Sequence, residues 1–147
     1  MKLLVDIGNT RAKVAVADAA GVITEVGVAE KLHRALVEEV LRMAPMEAAI
    51  LSSTRGDCSE EVALLREMGI ETLRLDHTTP LPIGIDYRTP ETLGRDRVAA
   101  AVGAAVRYPG RNCLVVDLGT ALTLDLVTSD GIFRGGAISL GYSNRLR

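Results

Sequence analysis

The sequence predicts an α/β protein with a mixed sheet. An opening three-strand antiparallel meander is followed by alternating helix and strand, and the meander is then written a second time, the second copy truncated. Three observations predict this. The stretch Leu3-Leu4-Val5-Asp6-Ile7-Gly8-Asn9-Thr10 returns in looser form as Leu114-Val115-Val116-Asp117-Leu118-Gly119-Thr120. With Asp6 set on Asp117 and Gly8 on Gly119, the later apolar runs and the turns at Gly21 and Gly131 stay in step, one residue apart. Between the two copies, helical and strand periods alternate. The repeat divides the chain into a first domain, residues 1–112, and the opening meander of a second, incomplete domain, residues 113–147.

Each element follows from a local pattern. Residues 2–7, 12–18 and 21–28 form the first meander, with Gly8 and Gly21 giving its turns backbone freedom. Leu32, Leu36 and Val40, with Val37 and Leu41 beside them, make a helical stripe over residues 29–44 that Pro45 ends. Ala48-Ala49-Ile50-Leu51 is a short buried strand. Asp57 caps a helix with Glu60 at the capping-box position and Gly69 as its stop, and residues 70–75 return as a strand. Residues 76–88 are irregular, stiffened by Pro80 and Pro82. Thr89 then caps a helix that starts at Pro90 and runs to about Val106. Its small-residue run from Ala99 to Ala105 allows close packing, either on its own sheet or on another subunit.

Composition removes several functions. Formal charge is -2 with the two signs interspersed, so no basic surface seeks nucleic acid or anionic membrane. Aromatics make up only 3% of the chain, too few for a base-stacking platform. Asp6 interrupts the N-terminal apolar run too early for a signal peptide, and no run of 18 apolar residues occurs, so the expectation is a soluble, cytoplasmic protein. Cys58 and Cys113 have no metal-like spacing and read as reduced thiols. His33 and His77 have no partner at recognisable spacing and read as structural or solvated.

The Asp-x-Gly turns carry the chemistry. A carboxylate at the end of a strand, backbone N–H groups and hydroxyls together suit a phosphate, and the carboxylate holds magnesium directly or through water. One such turn is an ordinary hairpin. Two at equivalent positions of a repeat read as jaws on the phosphates of a nucleotide.

The duplicated meander with its Asp-x-Gly turns resembles the superfamily of actin, hexokinase and acetate kinase, built from ribonuclease-H-like domains. More narrowly, three ordered motifs resemble type III pantothenate kinase: residues 6–13, Leu93-Gly94-Arg95-Asp96-Arg97, and residues 117–125. Gly135-Gly136-Ala137-Ile138 fits the same family. The resemblance implies ATP-dependent phosphorylation of pantothenate to 4'-phosphopantothenate, the first step of coenzyme A synthesis, by a homodimer.

Carried over residue by residue, it implies ATP contacts from Asp6, Ile7, Gly8, Asn9, Thr10, Arg11, Ala12 and Lys13, and from Thr120 in the second turn. Tyr87, Gly94, Arg95, Asp96 and Arg97 would meet pantothenate. Asp117 would hold a monovalent cation, potassium or ammonium, and Asp6 magnesium indirectly. Asp96 would accept the proton, a role its own chemistry supports: an alcohol attacking a γ-phosphate must lose its proton, and a carboxylate early in a helix stays charged. Arg97, and less so Arg95, would grip the pantothenate carboxylate by paired hydrogen bonds.

Two departures from the family stand out. Ser139-Leu140-Gly141 replaces a Pro-Gly turn, and the second domain stops early. A non-catalytic binding or regulatory relative, and another small-molecule kinase or phosphatase of the superfamily, therefore remain alternatives.

Overall fold

The computed structural model describes residues 1–141. Their contacts fall into two units, Met1–Leu75 and the residues from Asp76 onward. The first unit carries strands β1 (Lys2–Ile7), β2 (Ala12–Ala17) and β3 (Ile23–Ala29), helix α1 (Arg34–Met43), β4 (Ala48–Ser53), helix α2 (Ser59–Glu67) and β5 (Glu71–Arg74). The sheet order is β3-β2-β1-β4-β5, antiparallel from β3 to β1 and parallel from β1 to β5. Leu3, Val5 and Ile7 alternate with outward residues and meet Val14, Val16 and Leu51 on one face. Leu36, Val37 and Val40 of α1 and Val62 and Leu65 of α2 close that face into one core.

The helix starts differ from the sequence reading. β3 runs on to Ala29, which pairs with Ala12, so α1 begins only after His33. The His33 Nδ1 accepts the Leu36 N–H at 3.3 Å and caps the helix, a structural role. At α2 the N-cap is Cys58, and no capping box forms. Asp57 instead folds onto Ser59, accepting from its N–H and its hydroxyl.

That arrangement belongs to a set. Asp57, Asp76 and Asp130 are all held below the ordinary carboxylate value of 3.8, chiefly by hydroxyl donors from Ser59, Thr78 and Thr128 respectively. A carboxylate depressed by folding contributes stability that is complete above its unfolded value and is lost as pH falls through the lower folded value. Melting temperature is therefore expected to lose these three contributions only below 3.8. The triple Asp→Asn variant at these positions is expected to melt with a shallower acid slope; an unchanged slope would refute the assignment.

The second unit carries β6 (Gly84–Ile85), a 3-10 turn at Pro90–Thr92, helix α3 (Arg95–Arg107), β7 (Cys113–Leu118), β8 (Ala121–Val127) and β9 (Ile132–Leu140). Its sheet order is β6-β9-β8-β7, with β6 and β9 parallel and the other pairs antiparallel. Among the described residues, two mixed sheets and three α-helices thus make up the α/β class, with both meanders in place. Helix α3 packs on the second meander, against β7 and β8.

The single helix expected from Pro90 is two pieces. Leu93 and Gly94 are extended, with ψ of 129° at each, because Leu93 turns inward to be buried in the second core. The small-residue face of α3 serves its own sheet: Val98 and Ala101 are buried against Phe133 and Val127, while Ala99 and Gly103 face outward. The other face of the β7–β8 hairpin exposes Leu114, Val116, Leu118, Leu124 and Leu126. Among the described residues no helix is long and apolar enough to cross a membrane.

Candidate active site

The first turn connects β1 to β2. Asp6 is the penultimate residue of β1, on the sheet face opposite the helices, with Lys13 of β2 and Ser52 of β4 as its register partners. Gly8 N–H donates to the Arg11 carbonyl at 2.9 Å, which leaves Asn9 and Thr10 at the exposed tip. Ile7 and Ala12 point into the core, so neither offers a side chain to a phosphate. The turn is braced from β4. Thr54 N–H donates to the Ile7 carbonyl, and Arg55, in the polar stretch after that strand, donates from Nε to the Gly8 carbonyl at 2.6 Å and from Nη1 to the Glu30 carbonyl at 2.8 Å. A cleft of about 320 Å³ opens beside it, lined by Lys31, Arg55, Asp57 and Ser59 among others. Sequence reading gave Arg55 no role.

The second turn is the first with one residue removed. Asp117 is again penultimate in its strand, and Gly119 N–H donates to the Ala121 carbonyl at 2.9 Å, leaving Thr120 alone at the tip. This single deletion accounts for the one-residue difference between the repeats. Neither Gly8 nor Gly119 takes a positive φ; Gly21 and Gly131, in the following turns, do. The Ser139-Leu140-Gly141 segment closes on this turn, Gly141 N–H donating to the Thr120 carbonyl at 3.1 Å. A Cβ at Gly141 would run into the Gly119 and Thr120 carbonyls, so glycine is required there even without the preceding proline.

The third motif surrounds the first turn of α3. Asp96 lies in that turn, half-buried, and its Oδ1 accepts the Arg97 N–H at 2.9 Å. Its Oδ2 accepts from no described residue. A Cβ on Gly94 would come within 2.6 Å of Asp96 Oδ1, so the glycine makes room for the carboxylate. Arg95 donates to the carbonyls of Pro90 and Glu91 and ties the 3-10 turn to the helix.

Arg97 departs most from expectation. It is buried, and its Nε and Nη2 donate to the Asp125 carboxylate of β8 at 2.5 to 3.1 Å; Asp125 is 1% exposed. The paired hydrogen bond foreseen for a substrate carboxylate is made to Asp125, because the carboxylate lies directly under the helix start. These bonds hold the Arg97 guanidinium above its ordinary pKa against the cost of burial, with Tyr87 adding in the same direction. Tyr87 packs on Phe133, ring centroids 6.2 Å apart, and against the open position of Gly135. Asp117 pairs in register with Thr123, on the same sheet face as Asp125 and about 7 Å along the strand. The second unit therefore gathers Tyr87, Gly94, Asp96, Arg97 and Asp117 around β8. Among the described residues no three His, Cys, Asp or Glu side chains converge as a metal site.

A family model for type III pantothenate kinase matches residues 2–147. The chain belongs to the type III pantothenate kinase family. It is 40% identical to the type III pantothenate kinase of Azobacteroides pseudotrichonymphae over 99% of this chain and 59% of the relative. It is 41% identical to that of Bacteroides fragilis over 100% of this chain and 60% of the relative. The chain thus spans about three-fifths of the length of these relatives. Among solved structures, a protein assigned as a 2-dehydro-3-deoxygalactonokinase from Sinorhizobium meliloti is similar with a TM-score of 0.50 at 17% identity, covering 99% of this chain and 56% of that one. That likeness concerns the fold alone, which is the α/β class predicted from the duplicated meander.

Proposed function

We propose that this chain carries the base and the phosphate turns of an ATP-dependent kinase that phosphorylates pantothenate at its 4'-hydroxyl. The observation that carries the reading is Asp96, in the first turn of α3 with Oδ2 unengaged and a glycine clearing its place. In the reaction the primary alcohol attacks the γ-phosphorus as the bond to ADP breaks, and Asp96 takes the alcohol proton. Residues 6–13 and Thr120 bind the ATP phosphates, with Asn9 and Thr10 at the exposed tip of the first turn and Thr120 at that of the second. Tyr87, Gly94 and the part of Arg97 not held by Asp125 meet pantothenate; Arg95 shapes the site by fixing the 3-10 turn.

Magnesium is held mostly by phosphate and water with one or two carboxylates, which the Asp6 carboxylate beside the first turn fits. When bound it neutralises charge on the phosphates. Asp117, exposed at the end of its strand, offers potassium or ammonium a carboxylate oxygen. A cytoplasmic homodimer completes the family reading, with residues 1–112 and 113 onward as its duplicated domains. The exposed apolar row on β7 and β8 supports self-association of this chain, which light scattering against concentration would reveal.

The test is an assay with ATP, magnesium, potassium and pantothenate. It is run on this chain and on this chain joined to the portion of the Bacteroides fragilis relative that the match does not reach. The joined protein is expected to release 4'-phosphopantothenate, and the chain alone to turn over weakly or not at all. A folded joined protein that binds pantothenate without phosphorylating it would favour the alternative of a binding module, a reading that the three-fifths coverage keeps in view. Phosphorylation of another alcohol in its place would favour a different kinase of the superfamily.

Gly94→Ala offers an independent check. Its Cβ displaces the Asp96 carboxylate without touching the core, so kcat is expected to fall by about 10²-fold while the melting temperature barely moves. An unchanged kcat would show that the position of Asp96 is not critical.

A further inference from the structure

Asp125 is the one ionisable group in β8 and is buried there, and its three contacts with Arg97 are the only ion pair among the described residues with both side chains under 10% exposed. Arg97 adjoins Asp96. Asp96 Oδ1 lies 2.6 Å, and Arg97 Cδ 3.6 Å, from one and the same point beside Gly94, so the carboxylate and the stem of the guanidinium are close neighbours. Yet among the described residues Arg97 makes no ion pair with Asp96; Asp125 has taken its cation.

We propose that Asp125 is a positioning residue for phosphoryl transfer: it draws the Arg97 guanidinium onto β8 and so keeps it from pairing with Asp96. The inference rests on the reading of Asp96 as proton acceptor. A guanidinium turned onto that carboxylate would occupy the lone pairs that must receive the substrate proton and would make the group a weaker base. The Arg97–Asp125 pair is neutral as a whole, so it orders the helix start and offers its remaining N–H groups to the substrate without quenching its neighbour. Sequence alone hides this, because Asp125 reads as part of the motif after the second turn and Arg97 as a free binding group.

Three proteins test it in the joined form described above: wild type, Asp125→Asn, and Asp125→Asn with Arg97→Gln. In the single variant the cation is released toward Asp96, and kcat is expected to fall about 10-fold or more. In the double variant no cation remains, so kcat is expected to rise about threefold or more above the single variant, while the KM for pantothenate stays raised because Arg97 is gone. A pair that served stability alone would give kcat values that follow the melting temperature, with no such split. A single variant within twofold of wild type, or a double variant as slow as the single, would overturn the proposal.

The Arg97 side-chain Nε–H resonance gives a measurement that does not depend on folding of the Asp125 variant. It is expected to stay in place in Asp96→Asn, and a large shift there would place Arg97 on Asp96 and end the proposal. Wild type inert toward pantothenate would count against the kinase reading, and the resonance would still judge the pairing.

Discussion

Asp96→Asn is expected to lower kcat for pantothenate by about 10²- to 10⁴-fold, the usual contribution of a positioned general base. Asparagine keeps the shape and can accept the Arg97 N–H through its amide oxygen, so the helix start survives. What it lacks is a site for the proton leaving the 4'-hydroxyl. The KM for ATP should change little, because the phosphate turns at Gly8 and Gly119 are made by other segments. Steady-state kinetics in the joined protein, with the melting temperature as control, decide the matter. If the variant is as fast as wild type, the proton goes elsewhere and the first turn of α3 is only a substrate contact. Loss of a half-buried carboxylate from the helix N-terminus costs up to about 2 kcal/mol, and the melting temperature separates that cost from the kinetic effect.

The parts of the molecule that repeat were the parts legible in the sequence. The meanders announced themselves through alternation and glycine turns, and the penultimate position of Asp6 and Asp117 in their strands followed from aligning the copies. Local signals failed where tertiary packing competes with them. Thr89-Pro90 began a 3-10 turn rather than the main helix because burial of Leu93 breaks the backbone there. Asp57 was a plausible cap, but its neighbour Ser59 offered nearer donors.

The site shows the same division. Sequence placed Asp96 early in a helix begun at Pro90; the helix that carries it starts at Arg95, which puts Asp96 in its first turn. The partner of Arg97 could not be placed, because Asp125 is 28 residues away and meets it only once α3 lies on β8. The one clue was a carboxylate between Leu124 and Leu126, whose neighbours are partly exposed while Asp125 itself is buried. Alternation along the strand therefore hid it on the inner face. Arg55 escaped notice for a similar reason: its acceptors are backbone carbonyls of Gly8 and Glu30, which carry no sequence signature.

Phe133→Ala is expected to destabilise the second unit by about 3 to 5 kcal/mol, the range for removing a buried aromatic ring. Phe133 is the only phenylalanine of the sequence and, among the described residues, the largest fully buried side chain. It fills the space between β9 and α3 together with Ile83, Leu93, Val98 and Val127, and it supports Tyr87 on its other side. Ala101 of α3 belongs to the same core, so the void left by the ring borders on the helix. The residues of Met1–Leu75 close a separate core that contains none of these groups. Amide exchange should therefore speed up in α3, β8 and β9 while protection in β1, β2 and β4 persists. Equal loss in both sets would mean that the two cores unfold as one cooperative unit. A loss below about 1 kcal/mol would mean that the ring is poorly packed, contrary to its complete burial. Activity should suffer as well, since Tyr87 loses its aromatic neighbour and α3 carries Asp96, so KM for pantothenate should rise before the unit melts.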